Sequence, residues 1–314
     1  MSILVATNFD DAEWRAWWPQ LEAALPGERL LRAGDVRDAH DAAAVDIAIV
    51  ANPPRGALQG LPSLKLMQSL WAGVDKLLAD PTLPAGVPLA RMVDPAMNET
   101  MAETVLWAVL SLQRGFFDYA AQQRAGLWRQ QPLVRSNELC VAVLGLGHLG
   151  TCAAQALVRQ GYRVIGWSTR EARVDGVATH AGRAALPQVL AAADIVVDLL
   201  PLTPDTRGLF DAATLAQMRR GASLVNLARG AHVVDADLLK ALDDGHLARA
   251  VLDVFNTEPL PSSHVYWSHP RVSVLPHIAA PTDPRSAARV VGDNVRALRA
   301  GRPLAYLVDR QRSY

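Results

Sequence analysis

The chain has 314 residues, of which 50% are apolar and 20% are charged. This length exceeds the usual size of one hydrophobic core, so two domains are expected. Lysine plus arginine and aspartate plus glutamate number 31 each, so no overall charge attracts nucleic acid or an anionic membrane. The two cysteines have no metal-binding spacing, and the acidic amino terminus lacks the basic flank of a signal peptide. These features favour a cytoplasmic protein with no metal, no nucleic-acid partner and no membrane span.

Apolar runs and helical segments alternate in the first 96 residues. Residues 3–6, 46–51 and 66–70 predict strands, and residues 12–24 predict a helix, which is the rhythm of a parallel sheet. Residues 99–125 then show one long helical pattern with a broad apolar face. That face is interpreted either as core or as the surface of a homodimer.

A second α/β series begins at VAVLGLGHLG (141–150) and continues through IVVDLL, SLVNLA, AVLDVF and VSVLPH. It predicts a doubly wound Rossmann domain over 97–285, inserted into a doubly wound, flavodoxin-like domain formed by 1–96 and 286–314. The last helix is predicted over 282–300, capped by Thr282 and closed by Gly301.

Three glycines, Gly145, Gly147 and Gly150, lie directly after a predicted strand and directly before a predicted helix. In a dinucleotide site the first permits a tight turn, the second lets the backbone approach pyrophosphate, and the third lets helix and strand pack closely. The phosphate would then lie at the positive end of the helix. The alternative is a plain strand-to-helix turn.

The second strand of this series, residues 162–167, ends in Ser168, Thr169 and Arg170. An NAD site commonly has a carboxylate there, which binds the ribose hydroxyls. Without that carboxylate, Arg170 can pair with a 2′-phosphate, and NADP(H) is favoured. Glu171 nearby leaves NAD(H) as an alternative, and the residues could also form a solvated loop.

Three polar residues follow three different predicted strands of the second series. His277 follows VSVLP, Arg229 lies in NLARG (226–230), and Glu258 lies in LDVFNTEP (252–259). Ligands of open α/β sheets bind at the carboxyl ends of the strands. The other histidines lie in polar segments, in loops or before proline, positions that do not indicate a catalytic role. His232 is one that follows a loop.

Several motifs in this order resemble the D-2-hydroxyacid dehydrogenases, and specifically their glyoxylate/hydroxypyruvate reductase branch, over nearly the whole chain. They are LWAGVD (70–75), GLGHLG (145–150), LLPLTPDTRGLF (199–210), NLARGAHVVDADLL (226–239), LDVFNTEPLP (252–261) and HPRVSVLPHIAAPT (269–282). The resemblance implies that Arg229 grips the substrate carboxylate and carbonyl, and that Glu258 is the partner of His277. Relatives of this kind are usually dimers through the nucleotide domain.

The resemblance also implies binding roles. The amides of Gly73 and Val74 would bind the substrate carboxylate, beside Trp71. The residues expected to contact the cofactor are Gly145, Gly147, His148, Leu149, Gly150, Trp167, Ser168, Thr169, Arg170, Leu200, Pro201, Leu227, Ala228, Asp253, His277 and Ala279.

The chemistry requires the same residue types. Reduction of a 2-keto acid puts negative charge on the carbonyl oxygen, so a proton donor and a fixed cation lower the barrier. Protonated His277, held by Glu258, can donate the proton, and Arg229 can bind the carboxylate and polarise the ketone. The sequence therefore predicts an NADPH-preferring reductase of glyoxylate and hydroxypyruvate.

Two alternatives stay open: a reductase of larger 2-keto acids such as phenylpyruvate, and a non-catalytic nucleotide-sensing regulator. Two residues bear on the size of the substrate: Trp71 stands where small residues are frequent in the family, and Asn52 lies near the expected substrate site. Leu275 also replaces a common threonine.

Overall fold

The computed structural model describes residues 1–312 and divides into two compact units. The first contains Met1–Met97 and the chain from Thr282 onward, and the second contains Asn98–Pro281. Ser313 and Tyr314, which the sequence analysis assigned to the first domain, lie outside the described residues. No helix within residues 1–312 is long and apolar enough to cross a membrane.

The regular elements alternate along the chain. The strands are β1 (Ser2–Thr7), β2 (Arg29–Arg32), β3 (Val45–Ala51), β4 (Leu66–Ser69), β5 (Leu89–Ala90), β6 (Cys140–Leu144), β7 (Arg163–Ser168), β8 (Ala178–Ala181), β9 (Ile195–Asp198), β10 (Ser223–Asn226), β11 (Arg249–Leu252) and β12 (Val272–Val274). The helices are α1 (Asp11–Ala24), α2 (Ala39–Ala44), α3 (Asp75–Leu78), α4 (Pro95–Gln113), α5 (Phe116–Arg124), α6 (His148–Arg159), α7 (Leu186–Ala192), α8 (Ala212–Gln217), α9 (Asp235–Asp243) and α10 (Pro284–Arg299).

The first unit contains a five-stranded parallel sheet in the order β2-β1-β3-β4-β5. This is the flavodoxin-like order, in which the direction of winding reverses between β1 and β3. Every residue of β3 is buried, as expected for a parallel strand covered on both faces. Leu4, Val50 and Met67 belong to its core, and α10 packs against α1.

The second unit contains a seven-stranded parallel sheet in the order β12-β11-β10-β9-β6-β7-β8. Counted from β6, the first strand of the unit, this order is that of a Rossmann sheet, and winding reverses between β6 and β9. The sheet's two faces are covered by separate apolar clusters that include Leu144 and Leu224 on one side and Val143 and Val225 on the other. The predicted fold class, two doubly wound α/β domains, is confirmed.

Two local predictions were wrong. The long helical pattern divides into α4 and α5 at Gly115, whose φ of 65° is left-handed, and a Cβ there would lie 2.2 Å from Oε1 of Gln131. Helix α10 is capped by Asp283, whose side chain accepts from the amide of Arg285, and not by Thr282. The Thr282 hydroxyl donates to the carbonyl of Leu70 instead.

The apolar face of α4 lies largely in the core of the second unit. Met101, Val105 and Val109 are buried there against residues of the Rossmann sheet. The core interpretation therefore accounts for that face, whereas Trp107 on the same helix is 42% exposed.

Candidate active site

The glycine turn joins β6 to α6 and has the three properties that a phosphate-binding turn requires. Gly145 has a φ of 97°, and its Cβ would lie 2.7 Å from the carbonyl oxygen of Leu199. A Cβ on Gly150 would lie 1.8 Å from the carbonyl oxygen of Gly145, so strand and helix meet here. A Cβ on Gly147, by contrast, would meet nothing within 4 Å. The backbone at Gly147 is thus open to a group at the start of α6.

The end of β7 contains one buried residue and a short exposed segment. Trp167 is buried, its indole N–H donates to the carbonyl of Gly182, and its own carbonyl accepts from the amide of Gly145. Ser168 Oγ donates to the carbonyl of Arg170 at 2.5 Å, while Thr169 and Arg170 are exposed. Trp167 therefore supports the glycine turn from the core. Arg170 places a cation at the exposed end of β7.

The remaining predicted cofactor residues lie on the first turn of α6 and beyond β9, β10 and β12. His148 is exposed, and Leu149 packs partly against the core. The residues beyond the strand ends are Leu200, Pro201, Leu227, Ala228 and Ala279. The structure thus brings them to one edge of the Rossmann sheet, where parallel strands end.

Arg229 follows β10 on a turn that the buried side chain of Asn226 closes. Asn226 Nδ2 donates to the carbonyl of Arg229 at 2.9 Å, and its Oδ1 accepts from the amide of Ala228 at 3.0 Å. Nη1 of Arg229 donates to the carbonyl of Ala228 at 2.7 Å. Asn226 therefore fixes the backbone on both sides of Arg229, and the guanidinium is held against the carbonyl of Ala228.

His277 and Glu258 form a pair. His277 Nδ1 lies 2.8 Å from Glu258 Oε2, and the two side chains are 53% and 25% exposed. The other oxygen of Glu258 accepts from the amide of Phe255 at 3.0 Å. The carboxylate thus orients the ring through Nδ1 and leaves Nε2 as the imidazole nitrogen available for proton transfer.

Asp253 holds the backbone around His277. Its carboxylate accepts from the amides of Ile278 at 2.7 Å and Ala279 at 3.0 Å, and its carbonyl accepts from the amide of His277 at 2.9 Å. Burial raises the pKa of the Asp253 carboxyl, against the lowering effect of these amides. His277 itself has a φ of 56°, so its side chain projects from a left-handed residue.

The predicted substrate turn of the first unit lies between β4 and α3. The Ser69 hydroxyl accepts from the amide of Trp71 and donates to its carbonyl, both at 3.0 Å. Gly73 is partly exposed, and buried Val74 is the N-cap residue of α3. The turn therefore lies at the carboxyl end of a parallel strand.

The Trp71 ring is held by two other aromatic side chains of the first unit. Its centroid lies 6.3 Å from that of Phe9 and 6.1 Å from that of Trp17, both in edge-on geometry. Phe9 follows β1, and Trp17 is buried on α1. Asn52, with a φ of 45°, follows the neighbouring strand β3. The aromatic wall (Phe9, Trp17 and Trp71) thus has a fixed shape.

Sequence reasoning missed the buried residues whose hydrogen bonds hold the Arg229 turn in place. Asn226 was read only as part of a motif, and Asp198 and His232 received no role, although they form a fully buried pair. Asp198 and His232 are 34 residues apart, so their contact depends on the register of β9 and β10. Within residues 1–312, no cluster of His, Cys, Asp or Glu could hold a metal ion.

The chain matches known proteins in sequence. The family model for the D-isomer specific 2-hydroxyacid dehydrogenase, NAD binding domain, matches residues 106–279. A glyoxylate/hydroxypyruvate reductase A from Yersinia enterocolitica is 39% identical, and the alignment covers 100% of each chain.

Two solved structures are similar over the whole chain. One is a D-isomer specific 2-hydroxyacid dehydrogenase from Xanthobacter autotrophicus Py2 in complex with NADPH and MES. Its TM-score is 0.95 at 41% sequence identity, and the match covers 100% of this chain and 99% of that one. An NADPH-dependent glyoxylate/hydroxypyruvate reductase from Sinorhizobium meliloti, in complex with NADP and sulfate, has a TM-score of 0.92 at 35% identity, covering 100% of both. By this agreement in sequence and structure, the chain belongs to the D-isomer specific 2-hydroxyacid dehydrogenase family.

Proposed function

We propose that this protein is an NADPH-preferring 2-keto acid reductase that converts glyoxylate to glycolate and hydroxypyruvate to D-glycerate. The observation that carries the proposal is the His277–Glu258 pair, 2.8 Å apart, in the unit that contains the glycine turn. The relatives named as glyoxylate/hydroxypyruvate reductases support the choice of substrate.

The residues of the second unit fit a bound NADPH. The open space at Gly147 admits the pyrophosphate at the first turn of α6, and Arg170 supplies a cation for the 2′-phosphate. Two related structures hold NADPH or NADP. We assign the cofactor contacts to the predicted residues of this unit, with Trp167 acting through the turn that it supports.

The reaction needs a hydride at the carbonyl carbon and a proton at the carbonyl oxygen. When bound, the reduced nicotinamide supplies the hydride. His277 holds the proton on Nε2 and delivers it to the oxygen, because Glu258 engages Nδ1 and stabilises the imidazolium. Arg229 binds the planar carboxylate and stabilises the charge that develops on the oxygen.

The first unit contributes to substrate binding in this proposal. The backbone amides of Gly73 and Val74 bind the carboxylate, and Trp71 limits the size of the group on C3. Met1–Met97 with the chain from Thr282 onward would then be the substrate domain, and Asn98–Pro281 the cofactor domain.

The test is the initial rate of NADPH and NADH oxidation with glyoxylate, hydroxypyruvate, pyruvate and phenylpyruvate in parallel. His277→Ala shows whether the turnover belongs to this protein or to a contaminating reductase, and His40→Ala, at an exposed site on α2, is the matched control. We expect NADPH oxidation with glyoxylate and hydroxypyruvate that His277→Ala abolishes. Preference for phenylpyruvate would replace the substrate assignment, and cofactor binding without turnover would favour the sensor.

We also propose that the protein is a cytoplasmic homodimer. Exposed apolar side chains of the second unit supply a surface to cover: Phe116 (51%), Leu127 (59%), Trp128 (95%) and Leu133 (73%). Both cysteines are free thiols, which suits a reducing compartment. Sedimentation equilibrium of the wild type and of Trp128→Ser tests the dimer, since a monomeric wild type contradicts it. Cell fractionation tests the compartment.

A further inference from the structure

A fully buried acid–histidine pair lies in the second unit, outside the residues assigned to binding or catalysis. His232 Nδ1 and Asp198 Oδ2 are 2.6 Å apart, and both side chains are 0% exposed. Among residues 1–312, His232 Nε2 finds no hydrogen-bond partner. Such a pair gains little stability over apolar side chains of similar volume, so its presence requires another explanation.

The pair connects two neighbouring strand ends. Asp198 ends β9 and lies opposite Asn226 of β10, and its other oxygen accepts from the amide of Leu200 at 3.1 Å. His232 ends the short turn after Arg229, and its amide donates to the carbonyl of Arg229 at 3.2 Å. The contact between His232 and Asp198 therefore connects the Arg229 turn, which follows β10, to the end of the neighbouring strand β9.

The same turn also contacts the segment that contains Glu258. A Cβ on Gly230 would lie 1.9 Å from the carbonyl carbon of Phe255, so the two backbones touch with no room between them. The amide of Phe255 donates to Glu258 Oε1 at 3.0 Å. A shift of the turn that His232 closes would therefore move both Arg229 and the partner of His277.

We propose that Asp198 and His232 are positioning residues that fix the Arg229 turn and, through Gly230 and Phe255, the orientation of Glu258. The inference rests on the proposed reductase function. Neither residue needs to touch the keto acid. Their contribution is geometric, and catalysis is sensitive to displacements of about 1 Å in such groups.

Three variants test the pair. His232→Leu removes the donor and leaves Asp198 buried without it, whereas His232→Asn retains a side-chain N–H in the same direction. The double variant Asp198→Leu with His232→Leu removes the buried charge as well, so it is expected to fold even where His232→Leu does not. Leu238→Ala, at a fully buried site in the same core, is the stability control.

The measurements are kcat and KM for glyoxylate, the Kd for NADPH and the melting temperature. We expect His232→Leu and the double variant to lose kcat/KM on the order of 100-fold, with a smaller change in the NADPH Kd. His232→Asn should recover most of the loss, and Leu238→Ala should lower the melting temperature without changing kcat/KM.

Two results would overturn the inference: a double variant with wild-type kcat/KM, or His232→Asn as impaired as His232→Leu. If the wild type turns over no keto acid, the proposed function fails separately. Crystal structures of the wild type and the double variant then decide whether the pair positions the turn. An unchanged Arg229 backbone would contradict the inference.

Discussion

The two sheets of this protein are both parallel and doubly wound, and they differ in the residues that follow the carboxyl ends of their strands. The carboxyl edge of the Rossmann sheet carries ionisable side chains, among them Arg229, Asp253, Glu258 and His277. At the same edge of the five-stranded sheet lie a backbone turn and the aromatic wall. Doubly wound folds thus determine where a site forms, and the side chains there determine its role. We expect changes to these ionisable side chains to alter the rate, and changes to the aromatic wall to alter the choice of acid.

The largest effect is expected from Glu258→Gln. In this variant the side-chain oxygen still accepts from the amide of Phe255, so the NH2 group faces His277 Nδ1. The ring can then no longer donate a hydrogen bond through Nδ1, and the imidazolium is destabilised. We expect kcat with glyoxylate to fall on the order of 1000-fold with little change in the Kd for NADPH. Glu103→Gln, at an exposed site on α4 in the same unit, is the control. Turnover at the wild-type rate would remove Glu258 from the catalytic set.

Arg170→Ala should change the choice of cofactor. Loss of a charge-assisted contact to the 2′-phosphate is expected to raise the KM for NADPH by roughly 10- to 100-fold while leaving NADH kinetics unchanged. Arg159→Ala, which removes an exposed arginine at the last residue of α6, is the matched control. An equal loss with both cofactors would indicate that Arg170 acts on the fold or on a shared contact.

Trp71→Ala tests the aromatic wall. Removal of a ring that Phe9 and Trp17 hold in place should admit larger acids, and we expect the ratio of kcat/KM for phenylpyruvate to that for glyoxylate to rise about tenfold. Trp18→Ala, whose ring contacts Trp14 and Arg32, controls for the loss of a tryptophan from the same unit. If Trp71→Ala instead reduced kcat for every acid as severely as Glu258→Gln, the division of roles between the two units would be wrong.

Asp211→Ala should alter stability alone, although it removes a carboxylate of the second unit. The Asp211 side chain caps α8, and the backbone amide of Thr214 lowers the pKa of its carboxyl. Its stabilisation is therefore present above the unfolded pKa of about 3.9 and is lost as the pH falls through the folded value. Urea denaturation should show a deficit of about 1 kcal/mol at pH 7 that shrinks below pH 4. A fall in kcat/KM would contradict this assignment.

Much of this organisation could be predicted from the sequence because it depends on local signals. The strand ends before Arg229, Glu258 and His277 are visible as apolar runs, and the glycine spacing of 145–150 identifies its own turn. The fold class, two doubly wound domains, followed from the alternation of strands and helices and from the resemblance to a known family.

The supporting contacts could not be predicted in the same way. Asp198 meets His232 only because β9 and β10 pair in one register, and sequence separation conceals that. Gly115 was a visible signal that should have ended the long helix, since glycine is the usual residue at a helix end with positive φ. Thr282 and Asp283 are both good caps, and the choice depends on which backbone amide each reaches.

The left-handed backbone of His277 has a consequence for the evolution of the enzyme. Glycine or asparagine adopts a φ of 56° more easily than histidine does, so a histidine at this position costs folding free energy. Selection for heat resistance alone would favour replacement at this position, and each such gain would remove the proposed proton donor. Thermostable variants of this protein should therefore be sought away from residue 277, where stability and turnover do not compete.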